Sequence, residues 1–315
     1  MEKINLNSEY KNQRLDVFLS AFLNLSRKVV AQGIEAKGIL INGVQKKSSY
    51  KIKGDEIIEY DPEIFKEKEV AIEPQDIKLD IKYEDDYLIV LNKPKNMLTH
   101  PSAYETKNTL VNALLYHCGD NLSNKNEPFR RGIVHRLDKN TAGLMLAAKT
   151  DEAAGSLQEQ IRTKSAIRKY LAIALGDFEQ DSGVIDKPLK HYMSDTVKMQ
   201  VSSDEGAKDA ITYYKVLEKF QGAALVELEL KTGRTHQIRA HLSSIKHPVF
   251  GDSLYGAKGC TIEKYRGIKT NEQVLESYYL NFTHPINNEI MTFELEPKDW
   301  DADLVKVLKI MRGQK

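Results

Sequence analysis

One carboxylate in this chain stands where it could do chemistry. Asp138 falls in Gly132-Ile-Val-His-Arg-Leu-Asp-Lys-Asn-Thr-Ala-Gly-Leu-Met-Leu-Ala-Ala-Lys149, close behind His135 and Arg136 and between two apolar runs. A carboxylate so placed can attack an electrophilic carbon or take a proton from one. The bland alternative is a turn former or helix cap, the commoner role for an aspartate that follows a strand. Metal chemistry lacks its ligands. His236 and His241 lie five apart and would not share a helical face, and Cys118 and Cys260 show no metal-ligand spacing. A Gly-rich phosphate loop is also missing, so the sequence implies neither metal nor cofactor.

The apolar runs on either side of Asp138 read as buried strands, too short and too glycine-flanked for helices. That expectation puts His135-Arg-Leu-Asp138 on the connection between two core strands, where a rigid scaffold holds reactive groups in a cleft. Further strands are expected at Ile89-Val-Leu, Tyr170-Leu-Ala-Ile-Ala-Leu and Leu225-Val-Glu-Leu-Glu-Leu. Thr150 to Lys164 reads as a helix with Ala153, Ala154, Leu157 and Ile161 inward, and a second helix should start near Thr235 with Ile238, Leu242 and Ile245 buried. Mixed strands with few helices, and no strict strand–helix alternation, argue an α+β fold rather than a doubly wound sheet.

Residues 12–60 read as a separate small α/β module. Leu15, Phe18, Leu19 and Phe22 recur at helical spacing, Ser26 can cap a second helix, Gly38-Ile-Leu-Ile-Asn-Gly43 reads as a strand ending in a turn, and Lys53–Tyr60 as another strand. From Arg27 to Lys53 seven Lys or Arg, among them Lys28, Lys46 and Lys47, face one acid, Glu35. A solvated face is one explanation; on two helices and a tight turn, a phosphate-tracking surface is the better one. Between Asp61 and Asp86 the sign inverts, with ten acids against four lysines. Residues 61–75 are expected to be an acidic linker and 76–315 a large second domain. The chain's 315 residues suit such a division. With 41% hydrophobic and 29% charged residues and a net charge of +1, the composition is that of a globular protein whose charge distribution, not its sum, must point to partners. No apolar run approaches the roughly 20 residues that span a bilayer and no signal-peptide core is seen, so a cytoplasmic protein with no membrane contact is expected.

Three further blocks follow Asp138 in order: Ile167-Arg-Lys-Tyr-Leu-Ala-Ile-Ala-Leu-Gly176, Lys231-Thr-Gly-Arg-Thr-His-Gln-Ile-Arg-Ala-His-Leu242, and His247-Pro-Val-Phe-Gly-Asp252. Tyr87-Leu-Ile-Val-Leu-Asn-Lys-Pro94 precedes them and Leu280-Asn-Phe-Thr-His-Pro285 closes the region. Together with His-Arg-Leu-Asp these blocks resemble the RluA-type pseudouridine synthases over roughly residues 76–300. Arg14-Leu-Asp-Val-Phe-Leu, Leu25-Ser-Arg-Lys and Gly38-Ile-Leu-Ile-Asn-Gly-Val resemble the S-four RNA-binding domain that often precedes that catalytic domain. The resemblance implies a mixed, largely antiparallel sheet and an enzyme that isomerises uridine in structured RNA. The nitrogen–sugar bond breaks, the base turns, and its carbon 5 joins the same sugar carbon. The product is an isomer, so the reaction requires no cofactor.

By that resemblance Asp138 is the catalytic carboxylate, either as nucleophile on the anomeric carbon or as base toward the neighbouring sugar proton. Burial disfavours an ionised carboxylate unless a cation pairs with it, and Arg239 is the expected partner, with Arg234 the fallback or a phosphate contact. Tyr170 would give uracil a flat face and assist at carbon 5, and Leu137 and Ile238 would wall the base pocket. Since a stacked uridine is out of reach, the base must be flipped, and Arg136 would fill the gap. Arg130, Arg131 and Lys139 would form a positive rim for the RNA backbone. His135 would either touch a phosphate or satisfy its own loop. The family's usual Asp-Thr-Ser-Gly is here Asn140-Thr-Ala-Gly143, which touches none of these groups. The family analogy implies ribosomal RNA, or an assembling large subunit, as partner of a monomeric enzyme. The alternatives are transfer RNA as substrate, an RNA-binding assembly factor without activity, or a hydrolase, which would want a second carboxylate that the motif blocks lack.

Overall fold

The computed structural model describes residues 1–36, 38–65, 72–102, 105–126, 128–192, 195–256, 267–270 and 272–314, without the side chains of 28 and 195–197. They divide into two compact units, Met1–Val70 and Ala71–Lys315. Cys260 lies outside the described residues.

The small unit is built from β1 (Glu2–Asn5), α1 (Leu15–Phe22), α2 (Arg27–Glu35), β2 (Ile39–Ile41) and β3 (Ile57–Tyr60). Its strands form an antiparallel sheet in the order β1-β3-β2. Leu15, Phe18, Leu19, Val30 and Ile34 close over Ile39, Ile41 and Ile58 in one core. The Ser26 hydroxyl accepts the Val29 N–H and starts α2. Asn42 and Gly43, at φ of 49° and 75°, turn the chain after β2 as the Asn-Gly pair predicts. Three features differ from expectation. The sheet begins ahead of residue 12, at β1. Phe22 is 56% exposed in the last turn of α1, stacked on Phe18 outside the buried cluster. The acidic segment starts inside the unit: Pro62–Phe65 is a 3-10 turn whose Ile64 and Phe65 lie against Gly33 and Gly38. A Cβ at Gly38 would come within 2.6 Å of Ile64, so glycine is what permits that packing. Residues 66–71 of the expected linker lie outside the described residues.

The large unit runs β4 (Asp80–Glu84), β5 (Leu88–Lys93), α3 (Leu110–Cys118), β6 (Ala142–Ala148), α4 (Asp151–Thr163), β7 (Ile167–Leu175), β8 (Ser182–Asp186), β9 (Leu189–Tyr192), β10 (Asp195–Val201), β11 (Ile211–Phe220), β12 (Ala223–Leu230), α5 (Gln237–Ser244), β13 (Leu275–Thr283), β14 (Ile290–Glu294), α6 (Ala302–Met311). Its mixed sheet has the order β4-β5-β6-β13-β7-β12-β11-β8, with β14 added to β13, while β9 and β10 form a ribbon of their own. Every pair in the sheet is antiparallel except β6–β13, which joins only Ala142 to Glu276 and Gly143 to Ser277. The fold is α+β.

Helices cover both faces. Leu144 and Leu146 pack with Ala153, Leu157, Leu304 and Val307 of α4 and α6, whereas Met145 and Ala147 pack with Leu110 and Leu114 of α3. Burial on both sides is why these strands read as unbroken apolar runs. Tyr170, Leu137 and Ile238 all belong to the face that holds α3 and α5.

The strand expected at Gly132-Ile-Val is absent. Gly132 sits at φ 70°, and Ile133 meets β6 through a single bridge to Ala147. The physical reason lies in His135. β13 pairs with only the first two residues of β6, and the His135 ring takes up the Leu146 N–H further along, Nε2 accepting at 3.0 Å. A side chain does there what a strand partner would have done, so residues 132–141 run as one loop into β6. Among the described residues no helix is long and apolar enough to cross a membrane.

Candidate active site

The loop that carries Asp138 is pinned from beneath. The Leu137 N–H donates to Thr99 Oγ1 at 3.3 Å, and that hydroxyl donates back to Leu137 O at 2.9 Å. Lys93 is fully buried and its Nζ donates to the carbonyls of Pro94, Met97 and Lys139 at 2.8, 2.9 and 3.3 Å. Burial pulls its pKa down to about 7.

Asp138, with 17% of its side chain exposed, accepts from Arg239 Nη1 at 3.1 Å. Arg239 comes from the first turn of α5 and is held by a second acid. Its Nε and Nη2 form a fork to Asp252 at 2.7 and 2.9 Å, and Asp252 in turn accepts the N–H groups of Leu254 and Tyr255. Burial opposes the guanidinium charge, yet hydrogen bonds and charge from Asp252 and Asp138 raise its pKa. Tyr255 lies under the guanidinium, 5.1 Å from ring centre to Cζ. His236, in the left-handed region at φ 52° just before α5, brings Nε2 to 3.8 Å from Asp138 Oδ2 and Nδ1 to 3.2 Å from the Tyr255 hydroxyl. That hydroxyl also accepts the Met199 N–H. Burial lowers the His236 pKa, against the opposing charge of Asp138, and so favours the neutral ring.

Tyr170 stands on β7 between Leu228 and Ser277 of the neighbouring strands. Burial raises its pKa and keeps the phenol protonated. Leu137, Tyr170, Leu230, Ile238 and Leu275 make an apolar wall beside Asp138 and Arg239. The wall opens into a hollow of about 390 Å³ with Arg136, Lys164, Arg168, Lys231 and Arg234 around it. The arrangement can present a carboxylate to a small planar ligand and hold an anionic chain outside.

The remaining expected residues divide. Arg136 is exposed at the mouth, and Arg234 stays exposed while its Nε donates to Asp209 O at 3.0 Å. Arg130 is exposed, its guanidinium over the Phe129 ring. Lys139 pairs with Glu105 at 2.7 Å, and Arg131 donates to the Leu122 carbonyl at 3.1 Å. His135 is buried, and burial together with the Arg168 charge lowers its pKa to about 3. The neutral ring accepts the Leu146 N–H through Nε2, which is the role inside the loop. In the small unit Lys47 is exposed, Lys46 lies over the Tyr50 ring, and Arg27 donates to Asp16 at 2.8 Å beside Arg14. The Lys28 side chain lies outside the described residues.

Asp252, His236, Tyr255 and Arg168 were not among the residues expected to form the site. Three of them sat within motif blocks, and nothing in a linear sequence says that Asp252 would turn back onto Arg239. One grouping of metal-ligand types occurs among the described residues, Glu84, His117 and Cys118, with ligand atoms within 4.8 Å. Its glutamate is already engaged by His117 and Lys149, and burial raises the Cys118 thiol to about 11. It shares no residue with the cleft.

Comparison with known proteins bears on this geometry. Residues 87–244 match the family model described as RNA pseudouridylate synthase, and residues 13–58 match the S4 domain. The chain is 40% identical over 97% of both chains to the Bacillus subtilis (strain 168) protein described as "Uncharacterized RNA pseudouridine synthase YlyB". It is 37% identical, over 98% of both, to ribosomal large subunit pseudouridine synthase D of Zymomonas mobilis. The solved structure of human RNA pseudouridylate synthase domain containing 4 superposes with a TM-score of 0.57 at 26% identity, covering 74% of this chain and 92% of that one.

Proposed function

The chain belongs to the RNA pseudouridylate synthase family, and we propose that it isomerises particular uridines of large-subunit ribosomal RNA with Asp138 as the reacting carboxylate. The single observation behind the residue assignment is the chain of contacts Asp138–Arg239–Asp252 ending in an apolar pocket beside a cationic hollow. Arg239 is anchored on one edge by Asp252, so its remaining Nη1 is presented to Asp138 in a fixed direction. The carboxylate is thereby aimed, and its charge balanced, before substrate arrives.

Uracil stacks on Tyr170 between Leu137 and Ile238. Asp138 meets the sugar of the flipped nucleotide, either at the anomeric carbon or at the neighbouring proton. The nitrogen–sugar bond breaks, the base turns, carbon 5 bonds to the sugar, and its proton leaves as nitrogen 1 gains one. A protonated Tyr170 serves as wall and hydrogen-bond relay in that last step, not as a phenolate base. Arg136 at the mouth takes the place of the flipped base. Large-subunit ribosomal RNA as substrate is supported by the Zymomonas mobilis relative and by an S4 domain ahead of the catalytic unit. It carries with it the cytoplasm as place of action.

The test is carbodiimide mapping with primer extension on unmodified ribosomal RNA transcripts, using wild type and Asp138→Ala. Stops with wild type alone are expected, while RNA affinity of the variant stays within a few-fold. Stops on transfer RNA instead would overturn the substrate, and stops with both proteins would overturn the role of Asp138. Tight binding without stops on any RNA would favour an assembly factor.

A further inference from the structure

Arg168 is an unusual group. It stands on β7 two residues before Tyr170, hence on the same face of the sheet, and is only 5% exposed. No carboxylate pairs with it among the described residues, and its Nε has no hydrogen-bond acceptor. Beside it the His135 ring has a second orphan. Nε2 of that ring accepts from Leu146, so Nδ1 carries the hydrogen, and this donor also finds no partner among the described residues. Buried arginines are ordinarily paired, because an uncompensated charge away from water is strongly unfavourable, and isolated buried donors of this kind point to a missing partner. Both residues line the hollow that opens beside Asp138 and Tyr170. Among the described residues the other charges around that hollow are Arg136, Arg162, Lys164, Lys231 and Arg234, with Asp138 the single acid. Gly233 lies against the guanidinium, where a Cβ would stand 3.6 Å from Nη1 and Nη2.

We propose that Arg168 is a phosphate-binding residue, taking one phosphodiester of the RNA next to the nucleotide that faces Asp138. The inference rests on the reading of the cleft as a uridine site and names a part of it. The ligand must be anionic, since an apolar or neutral group would leave the guanidinium unbalanced. A planar donor fork fits two phosphate oxygens. Bound so, the sugar–phosphate chain is fixed in the hollow that adjoins the base pocket. Arg168 would then set where the flipped sugar stops relative to Asp138, rather than take part in bond breaking.

The test pairs a protein change with an RNA change and reads binding, so it does not depend on isomerisation. The RNA is a fragment spanning the mapped uridine, with methylphosphonates replacing flanking phosphates one at a time. For wild type one position should weaken binding by about tenfold, the size of a lost charge-assisted contact. In Arg168→Gln that same position should cost less than twofold, while other positions behave as in wild type. A structural role for Arg168 would weaken all the RNAs alike and leave the methylphosphonate profile unchanged; that result overturns the proposal and leaves the enzyme reading intact. Should Arg168→Gln fail to fold, wild type supplies the answer. The Arg168 Nε–H resonance should shift on titration with inorganic phosphate, and an unmoved resonance at tens of millimolar phosphate would refute the subsite even if uridines are converted.

Discussion

At the scale of residues, the cleft is organised around one guanidinium shared by two carboxylates. Asp252 takes the Nε/Nη2 edge and Asp138 the Nη1 end, so Arg239 is a rigid arm between a buried anchor and a partly open acid. Lysine keeps the charge but has one nitrogen and no fixed plane, and cannot hold both acids in this geometry. Arg239→Lys is therefore expected to lower kcat by at least about tenfold with a smaller change in KM, as fits a group that orients Asp138 rather than binds RNA. Unchanged turnover would remove Arg239 from the machinery. The histidine beside the motif shows the limit of reading residue types singly. His135 looked equally fit for a phosphate or for its own loop, and only its burial under β6 and the Leu146 hydrogen bond decide between them.

At the scale of elements, two features hold the loop of Asp138 in place. The first is His135 standing in for a strand. Its folded pKa of about 3 lies below the ordinary value of 6.5, so the folded state prefers the neutral ring. The stability this contributes is complete above about pH 6.5 and is lost progressively as pH falls toward 3. Urea midpoints of wild type should fall more steeply between pH 6.5 and 4 than those of His135→Gln, whose amide oxygen can still accept from Leu146; parallel curves would contradict the assignment. The second feature is the close approach of β6 to β13. Gly143 sits at φ 120°, and a Cβ there would come 2.2 Å from Ser277 O and 2.5 Å from Ser277 N. Gly143→Ala should thus lose most of its folded protein or drop sharply in urea midpoint, whereas Gly206→Ala, with positive φ but nothing within 4 Å, should cost only about 1 kcal/mol. Similar losses in both would mean that backbone conformation, not the approach of the strands, makes glycine necessary at 143.

At the scale of the whole molecule, a net charge of +1 hides an uneven distribution. The cleft has cations at its mouth, and the small unit carries its own on α2 and on the turn before Tyr50. Lys46→Glu/Lys47→Glu is expected to weaken ribosomal RNA binding and to reduce the slope of log K against log salt by about one or more. At saturating RNA, kcat should stay at the wild-type value, since neither lysine belongs to the catalytic unit. An unaltered slope would show that this face does not track phosphates. The small unit also shows where charge counting stops being informative: Arg27 belongs to the same basic run, yet one edge of its guanidinium is committed to Asp16.

The reaction class and the fold class were already legible in the linear chain. Ordered motif blocks, doubly apolar strands and the helix of Thr150–Lys164 are local patterns, and local patterns survive in a linear reading because period and capping act over a few residues. Asp138, Tyr170 and Arg239, which line one cleft, stood out as candidates for the same reason, each lying inside a contiguous block. Which side chains meet was not legible there. Asp252 turning onto Arg239, His236 coming within reach of Asp138, Lys93 gathering carbonyls from the segment after β5 and from the Asp138 loop, and Arg168 buried without an acid among the described residues are all outcomes of long-range packing. The same holds for the strand that did not form at Gly132. Its sequence suited a strand, but β6 offered it one bridge and gave the next hydrogen bond to a histidine ring. Propensity is settled within a segment, whereas pairing is settled by whatever donor or acceptor the rest of the chain brings close.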